Sequence, residues 1–228
     1  MLKADRKEPT QLSQYWSYAG ALHGTAQRGE DTHEYSQLMA TSQDFVANEV
    51  LASFRFPQTG KHLDVGGGHG AFIRRVGAEY SELCFGLFEL PQVVESGAKA
   101  AGDALGSERV AAHPGNFFEN AIPQGYDLVS LVRILHDHDD EPAQAILNNI
   151  FKSLKPGARL MIAEPMAQVP GAEAMGEAFF GFYLWAMGSG RPRSEAEITA
   201  MLKTAGFRKI HPVATAQPVI ASIIVASA

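Results

Sequence analysis

Apolar residues between Thr32 and Phe54 recur with a helical period. Tyr35, Leu38, Met39, Phe45, Val46 and Val50 share a face with Ser42 and Glu49. Pro57 and Gly60 close this predicted helix. From Lys61 the rhythm changes to short apolar runs alternating with helical stretches. The runs predict strands over His62–Val65, Leu83–Phe88, Arg109–His113, Tyr126–Ile134 and Arg159–Ala163. Helices are predicted between them, over Ala71–Ala78, Gln92–Leu105 and Pro142–Leu154, with a turn at Lys155-Pro156-Gly157. Such alternation implies parallel strands with crossover helices on both faces. The end departs from it. A helix over Ser194–Ala205 stops at Gly206, a C-cap residue. Two strands follow closely, Arg208–Ala214 and Val219–Val225, and too little chain separates them for a parallel crossover. An antiparallel hairpin is therefore expected. Residues 1 to about 30 are polar and weakly periodic, a tail that needs a neighbour to pack on.

Composition narrows the class. A chain of 228 residues with 46% hydrophobic residues can bury a full core. The net charge of −6 disfavours nucleic acid as a partner, since no basic stripe would neutralise phosphates. A single cysteine, Cys84, excludes an internal disulfide and fits a reducing cytoplasm. No apolar run approaches the roughly 20 residues of a membrane span.

The sharpest local signal is Leu63-Asp64-Val65-Gly66-Gly67-Gly68-His69-Gly70-Ala71-Phe72, which leaves a strand and enters a helix. Glycines at 66, 68 and 70 let the backbone turn tightly and approach a ligand closely. Free amides at the helix start then face that ligand. Glu89 ends the next strand, where a carboxylate can accept from both ribose hydroxyls. NAD and S-adenosylmethionine (SAM) share that need. Asp64 favours a ligand carrying ammonium and sulfonium groups over one carrying a pyrophosphate.

The ordered motifs resemble the SAM-dependent O-methyltransferases with a caffeic-acid-type or hydroxyindole-type catalytic domain. They are the glycine loop, Phe88-Glu89-Leu90-Pro91, His113-Pro114-Gly115-Asn116-Phe117-Phe118, the run from Arg133 to Asp140, Leu154-Lys155-Pro156-Gly157, Glu164-Pro165 and Arg193 to Ile198. The resemblance covers about residues 30 to 228. Two stretches, Ser130 to Arg133 and Phe182 to Arg191, look closest to the bacterial carotenoid branch, the hydroxyneurosporene or demethylspheroidene O-methyltransferases.

The resemblance implies an α/β, class I SAM-dependent methyltransferase (Rossmann-like) fold: a seven-stranded, mostly parallel sheet with a C-terminal antiparallel hairpin. Residues 1–55 would be a tail and helical front, and residues 56–228 the SAM-binding catalytic domain. Asp64, Gly66, Gly68 and Gly70 would line the methionine part of SAM. Glu89 would hold the ribose with Leu90 beside it, Asn116 and Phe117 would flank the adenine, and Arg133 would lie near the cofactor carboxylate. His136 matches the general base and Glu164 the carboxylate that orients it. Met39, Phe179, Tyr183 and Met187 would contact a small, apolar, hydroxylated acceptor. A second glutamate that plant relatives place beside the histidine is replaced by Pro192 here. The resemblance implies that full-length relatives dimerise through a preceding winged-helix-like domain; this sequence is expected to start about where that domain would end, leaving apolar surface on residues 1–55. Runner-up acceptors are phenols, polyketides or a bacteriochlorophyll precursor. An NAD-dependent oxidoreductase or a non-catalytic SAM-binding fragment are the rivals.

Two further stretches carry alternatives. His136-Asp137-His138-Asp139-Asp140 offers imidazoles and carboxylates with the spacing of a metal cluster, but Asp139 also suits a helix N-cap. The family resembled is metal-independent, so no metal is expected. The stretch from Ala172 to Met187 is apolar nearly all round, as for a helix in a core, at an interface or walling a long apolar substrate.

Overall fold

The structure, a computed structural model, describes the backbone from residue 31 and side chains from residue 42. The tail over residues 1–30 and the side chains of Tyr35 and Met39 lie outside the described residues. Helix α1 (Asp31–Ser53) leads into β1 (Gly60–Val65), α2 (Ala71–Glu79), β2 (Leu83–Glu89), α3 (Pro91–Leu105), β3 (Val110–Pro114) and β4 (Leu128–Val132). Next come α4 (Asp140–Ser153), β5 (Arg159–Glu164), α5 (Phe180–Met187), α6 (Glu195–Ala205), β6 (Arg208–Val213) and β7 (Ser222–Ser227). Seven strands form one sheet in the order β3-β2-β1-β4-β5-β7-β6. The first five pair in parallel, while β7 runs antiparallel to both β5 and β6. The expected architecture and its terminal hairpin are thus present.

Both faces of the sheet are covered, so the strands read as continuous apolar runs. On one face Leu63, Val129, Leu131, Leu160 and Ile162 pack against Ile146, Leu147 and Ile150 of α4 and Ile198 and Leu202 of α6. On the other, Phe85, Leu87, Leu128 and Met161 pack against Phe72, Ile73 and Val76 of α2, and against Val46, Ala47 and Val50 of α1. The second half of α1 therefore belongs to the same core as the sheet.

Three local departures from the sequence expectation have physical causes. The strand expected to run to Ile134 stops at Val132, because Arg133 turns into the left-handed region (φ 58°). The amides of Ile134 and Leu135 then turn to the Glu164 carboxylate, at 2.9 and 2.5 Å. Second, the aromatic stretch begins as a wide π turn over Met175–Phe179 before α5. That turn holds buried Gly176, which lies against the Met166 carbonyl more closely than any side chain would permit. Third, this segment is not apolar-buried all round. Leu184 and Met187 are buried, whereas Met175, Phe179 and Phe182 are 48%, 61% and 63% exposed, forming a ridge at helical spacing.

The outer strand β6 carries Arg208, Lys209, His211 and Pro212, and a bulge between Arg208 and His211. No helix of the described residues is long and apolar enough to cross a membrane.

Candidate active site

The site lies at the carboxyl ends of β1, β2, β4 and β5, where the strand order reverses between β1 and β4. Gly66, Gly68 and Gly70 all have positive φ, at 73°, 55° and 69°. A side chain on Gly68 would meet nothing within 4 Å among the described residues, which leave the loop open on that side. Gly97 of α3 packs against the Gly68 carbonyl and lets the helix approach the loop. Glu89 braces the loop from β2: its Oε2 accepts from the Gly68 amide at 3.0 Å and its Oε1 from the Leu90 amide at 2.7 Å. Burial raises the Glu89 pKa against those two hydrogen bonds.

Asp64 is buried behind the loop. Its Oδ1 accepts from the Ser130 hydroxyl at 2.5 Å, and its Oδ2 has no partner among the described residues. A side chain on Gly67 would strike that second oxygen. Burial pushes the Asp64 pKa up to about 7, and like charge on Glu89 adds to this against the Ser130 bond.

Phe117 comes to the same place. A side chain on Gly66 would touch both Ile134 and the Phe117 ring. Phe117 meets Phe118 and His138 edge-on, at 4.7 and 5.5 Å between ring centres. The Asn116 Oδ1 is spent within its own turn, accepting from the Phe118 amide at 2.9 Å. His138 is held against the two phenylalanines, and desolvation lowers its pKa to about 4.

His136 follows β4 on a single helical turn and is 3% exposed. It sits between two carboxylates, with Nε2 3.1 Å from Asp137 Oδ1 and Nδ1 3.8 Å from Glu164 Oε2. Burial alone would lower its pKa, but Asp137 and Glu164 outweigh that and raise it above 6.5. Glu164 is itself raised by burial, against the pull of His136 and the Leu135 amide. Arg133 donates to the Ser42 hydroxyl of α1 at 2.7 Å, and its charge acts on His136, Asp137 and Tyr183. Burial also pushes the Tyr183 phenol up, with Asp137 in the same direction. The structure thus gathers Tyr183 with His136, Asp137 and Arg133. Met187 is buried, and Phe179 lies out on the exposed ridge.

Two acids of the His136–Asp140 run, Asp139 and Asp140, are engaged elsewhere. Asp139 accepts from the Gly190 amide at 3.0 Å, and Asp140 pairs with Arg191 and Arg193. Among the described residues no three His, Cys, Asp or Glu side chains converge as a metal site.

Arg193 is a residue whose part the linear pattern did not reveal. Fully buried, it donates to the carbonyls of Leu135 and His138, both at 2.7 Å, and to Asp140. It therefore pins both sides of His136. Arg193→Met is expected to cost about 2–4 kcal/mol, since two carbonyls and a carboxylate lose a charged donor. Urea denaturation measures this loss.

A doubly wound sheet with a glycine loop at its reversal point, an acid ending β2 and an inserted antiparallel last strand defines a class I methyltransferase fold. A solved structure titled as CalO1, a methyltransferase in calicheamicin biosynthesis in its SAH-bound form, superposes with a TM-score of 0.76 at 25% identity, covering 95% of this chain and 68% of that one. The chain belongs to the O-methyltransferase domain family, whose profile matches residues 6–208. It is 40% identical over 219 residues to demethylspheroidene O-methyltransferase of Rhodobacter capsulatus, covering 94% of this chain and 53% of that protein. The protein of the same name from Cereibacter sphaeroides is 36% identical over 216 residues, covering 95% of this chain and 57% of its own length. The chain thus spans about half the length of these curated relatives.

Proposed function

We propose that this chain is the catalytic part of a cytoplasmic SAM-dependent O-methyltransferase, acting on a hydroxyl of an apolar acceptor, a hydroxylated carotenoid. Residues 56–228 would be its catalytic domain and residues 1–55 an N-terminal tail and helical front region. The observation that carries the acceptor is the 40% identity to a demethylspheroidene enzyme. The cofactor reading rests on the open side of Gly68 and on the unpartnered Asp64 oxygen behind the loop. A pyrophosphate would be repelled there, whereas an amino-acid ammonium and a sulfonium are attracted.

Bound SAM supplies a methyl group on sulfonium, ready for in-line transfer to oxygen. The residues do the rest. Gly66, Gly68 and Gly70 admit the methionine part, Glu89 and Leu90 meet the ribose, and Asn116 and Phe117 flank the adenine. Arg133 adds a positive charge near the carboxylate end. His136 takes the hydroxyl proton as the new C–O bond forms, and Glu164 stabilises the resulting imidazolium. Met39, Tyr183, Met187 and Phe179 provide the apolar contacts to the acceptor. No nucleic acid or membrane span enters this reading. Calorimetry with S-adenosylhomocysteine and with NADH tests the cofactor, and turnover of SAM with hydroxyneurosporene tests the acceptor. Tight NADH binding without S-adenosylhomocysteine binding would overturn it.

Asp137 gives this site a pH signature. A base must be neutral to accept a proton, so turnover rises with pH through the pKa of His136. Because Asp137 and Glu164 raise that pKa against the effect of burial, the rising limb is shifted to higher pH than an unperturbed histidine would give. Asp137→Asn removes the largest favourable charge on the imidazolium and is expected to move the limb to lower pH. A pH–rate profile of both proteins checks this; an unmoved limb would separate it from His136.

A further inference from the structure

One row of polar side chains crosses the sheet face that packs against α1 and α2, and the proposed chemistry leaves two of its members unused. His62 and Asp64 stand two apart on β1, so they share a face, and Ser130 of β4 is the register partner of Asp64. All three are buried, His62 and Ser130 completely. The Ser130 hydroxyl lies 2.8 Å from His62 Nε2 and 2.5 Å from Asp64 Oδ1. His62 is otherwise packed against the rings of Phe56, Phe72 and Phe85, and its Nδ1 has no partner among the described residues. Polar groups buried in such a face cost stability unless each proton has a place.

Proton placement has one economical solution. Desolvation lowers the His62 pKa to about 3, so the ring is neutral and carries one N–H. On Nδ1 that hydrogen would be buried unpaired among phenylalanines. On Nε2 it is donated to Ser130. The Ser130 hydroxyl, with this acceptor site filled, gives its own hydrogen to Asp64 rather than to the Leu63 carbonyl, which is 3.5 Å away. Asp64 Oδ1 is then an acceptor, and the bare Oδ2 remains behind Gly67. Among the described residues, the Glu89 carboxylate at the end of β2 acts on Asp64 and opposes its ionisation.

We propose that Ser130 and His62 are positioning residues for the cofactor: their directed hydrogen bonds hold the Asp64 carboxylate ionised and fixed behind the glycine loop, facing the positive end of a bound SAM. This rests on the SAM reading above. A cation beside the loop stabilises the Asp64 anion, so SAM affinity should rise with pH through about 7 and then level.

The test pairs Ser130→Thr, which keeps the hydroxyl, with Ser130→Val, which has nearly the same shape without it. SAM affinity is measured by calorimetry from pH 6 to 9, and melting of the ligand-free protein over pH 4 to 9. Loss of a hydrogen bond to a charged group is worth roughly tenfold or more in affinity. Ser130→Val should therefore bind SAM about tenfold more weakly at pH 7 and approach wild type at pH 9, with Ser130→Thr near wild type throughout. His62→Phe should shift the same curve in the same direction by less. The ligand's own titration is common to all variants, so only differences between them are read. In the free protein, a carboxyl whose pKa is raised on folding loses stability as pH rises towards that value. Ser130→Val should carry this loss to higher pH. An affinity lowered equally at every pH, or only a lower melting temperature with an unchanged pH curve, would overturn the relay alone. Absence of SAM binding by the wild-type chain at every pH would overturn the cofactor reading and the relay with it.

Discussion

Replacing His136 with glutamine is expected to lower turnover by about 10²–10⁴-fold, equivalent to roughly 3–5 kcal/mol of transition-state stabilisation. An aliphatic alcohol on a carotenoid end has a pKa far above neutrality and cannot ionise in advance. Its proton must leave as the C–O bond forms. In the proposed mechanism His136, which lies between Asp137 and Glu164, takes that proton, and both carboxylates would stabilise the product imidazolium. Glutamine keeps much of the volume and some hydrogen bonding but cannot take a proton. SAM affinity should stay near wild type, because the glycine loop and Glu89 lie on other strands. His138→Gln should act differently: its ring packs on Phe117, so the loss falls on cofactor affinity more than on turnover. Steady-state kinetics with calorimetry on both variants checks this pair, and near-normal turnover in His136→Gln would remove the base from the mechanism.

Gly68→Val is expected to weaken S-adenosylhomocysteine binding by at least about 10²-fold. Two costs combine. A β-branched residue at φ 55° is strained, by roughly 1–2 kcal/mol. The new side chain would also occupy the space that is open in front of the loop, and ligand and isopropyl group cannot share it. Gly125→Val carries the first cost alone. Gly125 also has positive φ, at 91°, and open surroundings, but lies outside the loop. It should lose stability and keep affinity. Calorimetry with circular dichroism to confirm folding distinguishes them; equal losses in both variants would show that strain alone is at work.

The alternation of strands and helices was legible because buried parallel strands and amphipathic helices leave different periods in the chain. The glycine loop and Glu89 were legible because a tight turn and a strand-end acid are local. What escaped the sequence depends on distant partners. The end of β4 is set by Arg133 finding Ser42 and by Glu164 taking two amides, neither of which an apolar run records. Arg193 stands in the sequence only as the start of a family motif, and its part shows only where it reaches the carbonyls on either side of His136. His62 and Ser130 did leave a trace, as polar residues at inward positions of apolar strands, but it gained meaning only once the register placed them side by side.

The insertion of β7 between β5 and β6 has a consequence for how the protein stays in solution. While it folds, the bare edge of β5 over Leu160 to Ala163 must wait for a strand that begins only at Ser222. Until then an unpaired apolar strand is open to pairing with another molecule. After docking, β7 with its Ile223, Ile224 and Val225 would be an equally sticky margin if it were left outermost. Instead β6 takes that place. Its bulge, its cations and Pro212, which has no amide hydrogen to offer, make a poor template for an approaching strand. The charged outer strand thus acts as a guard rail, and weakening its grip on β7 is expected to favour edge-to-edge association.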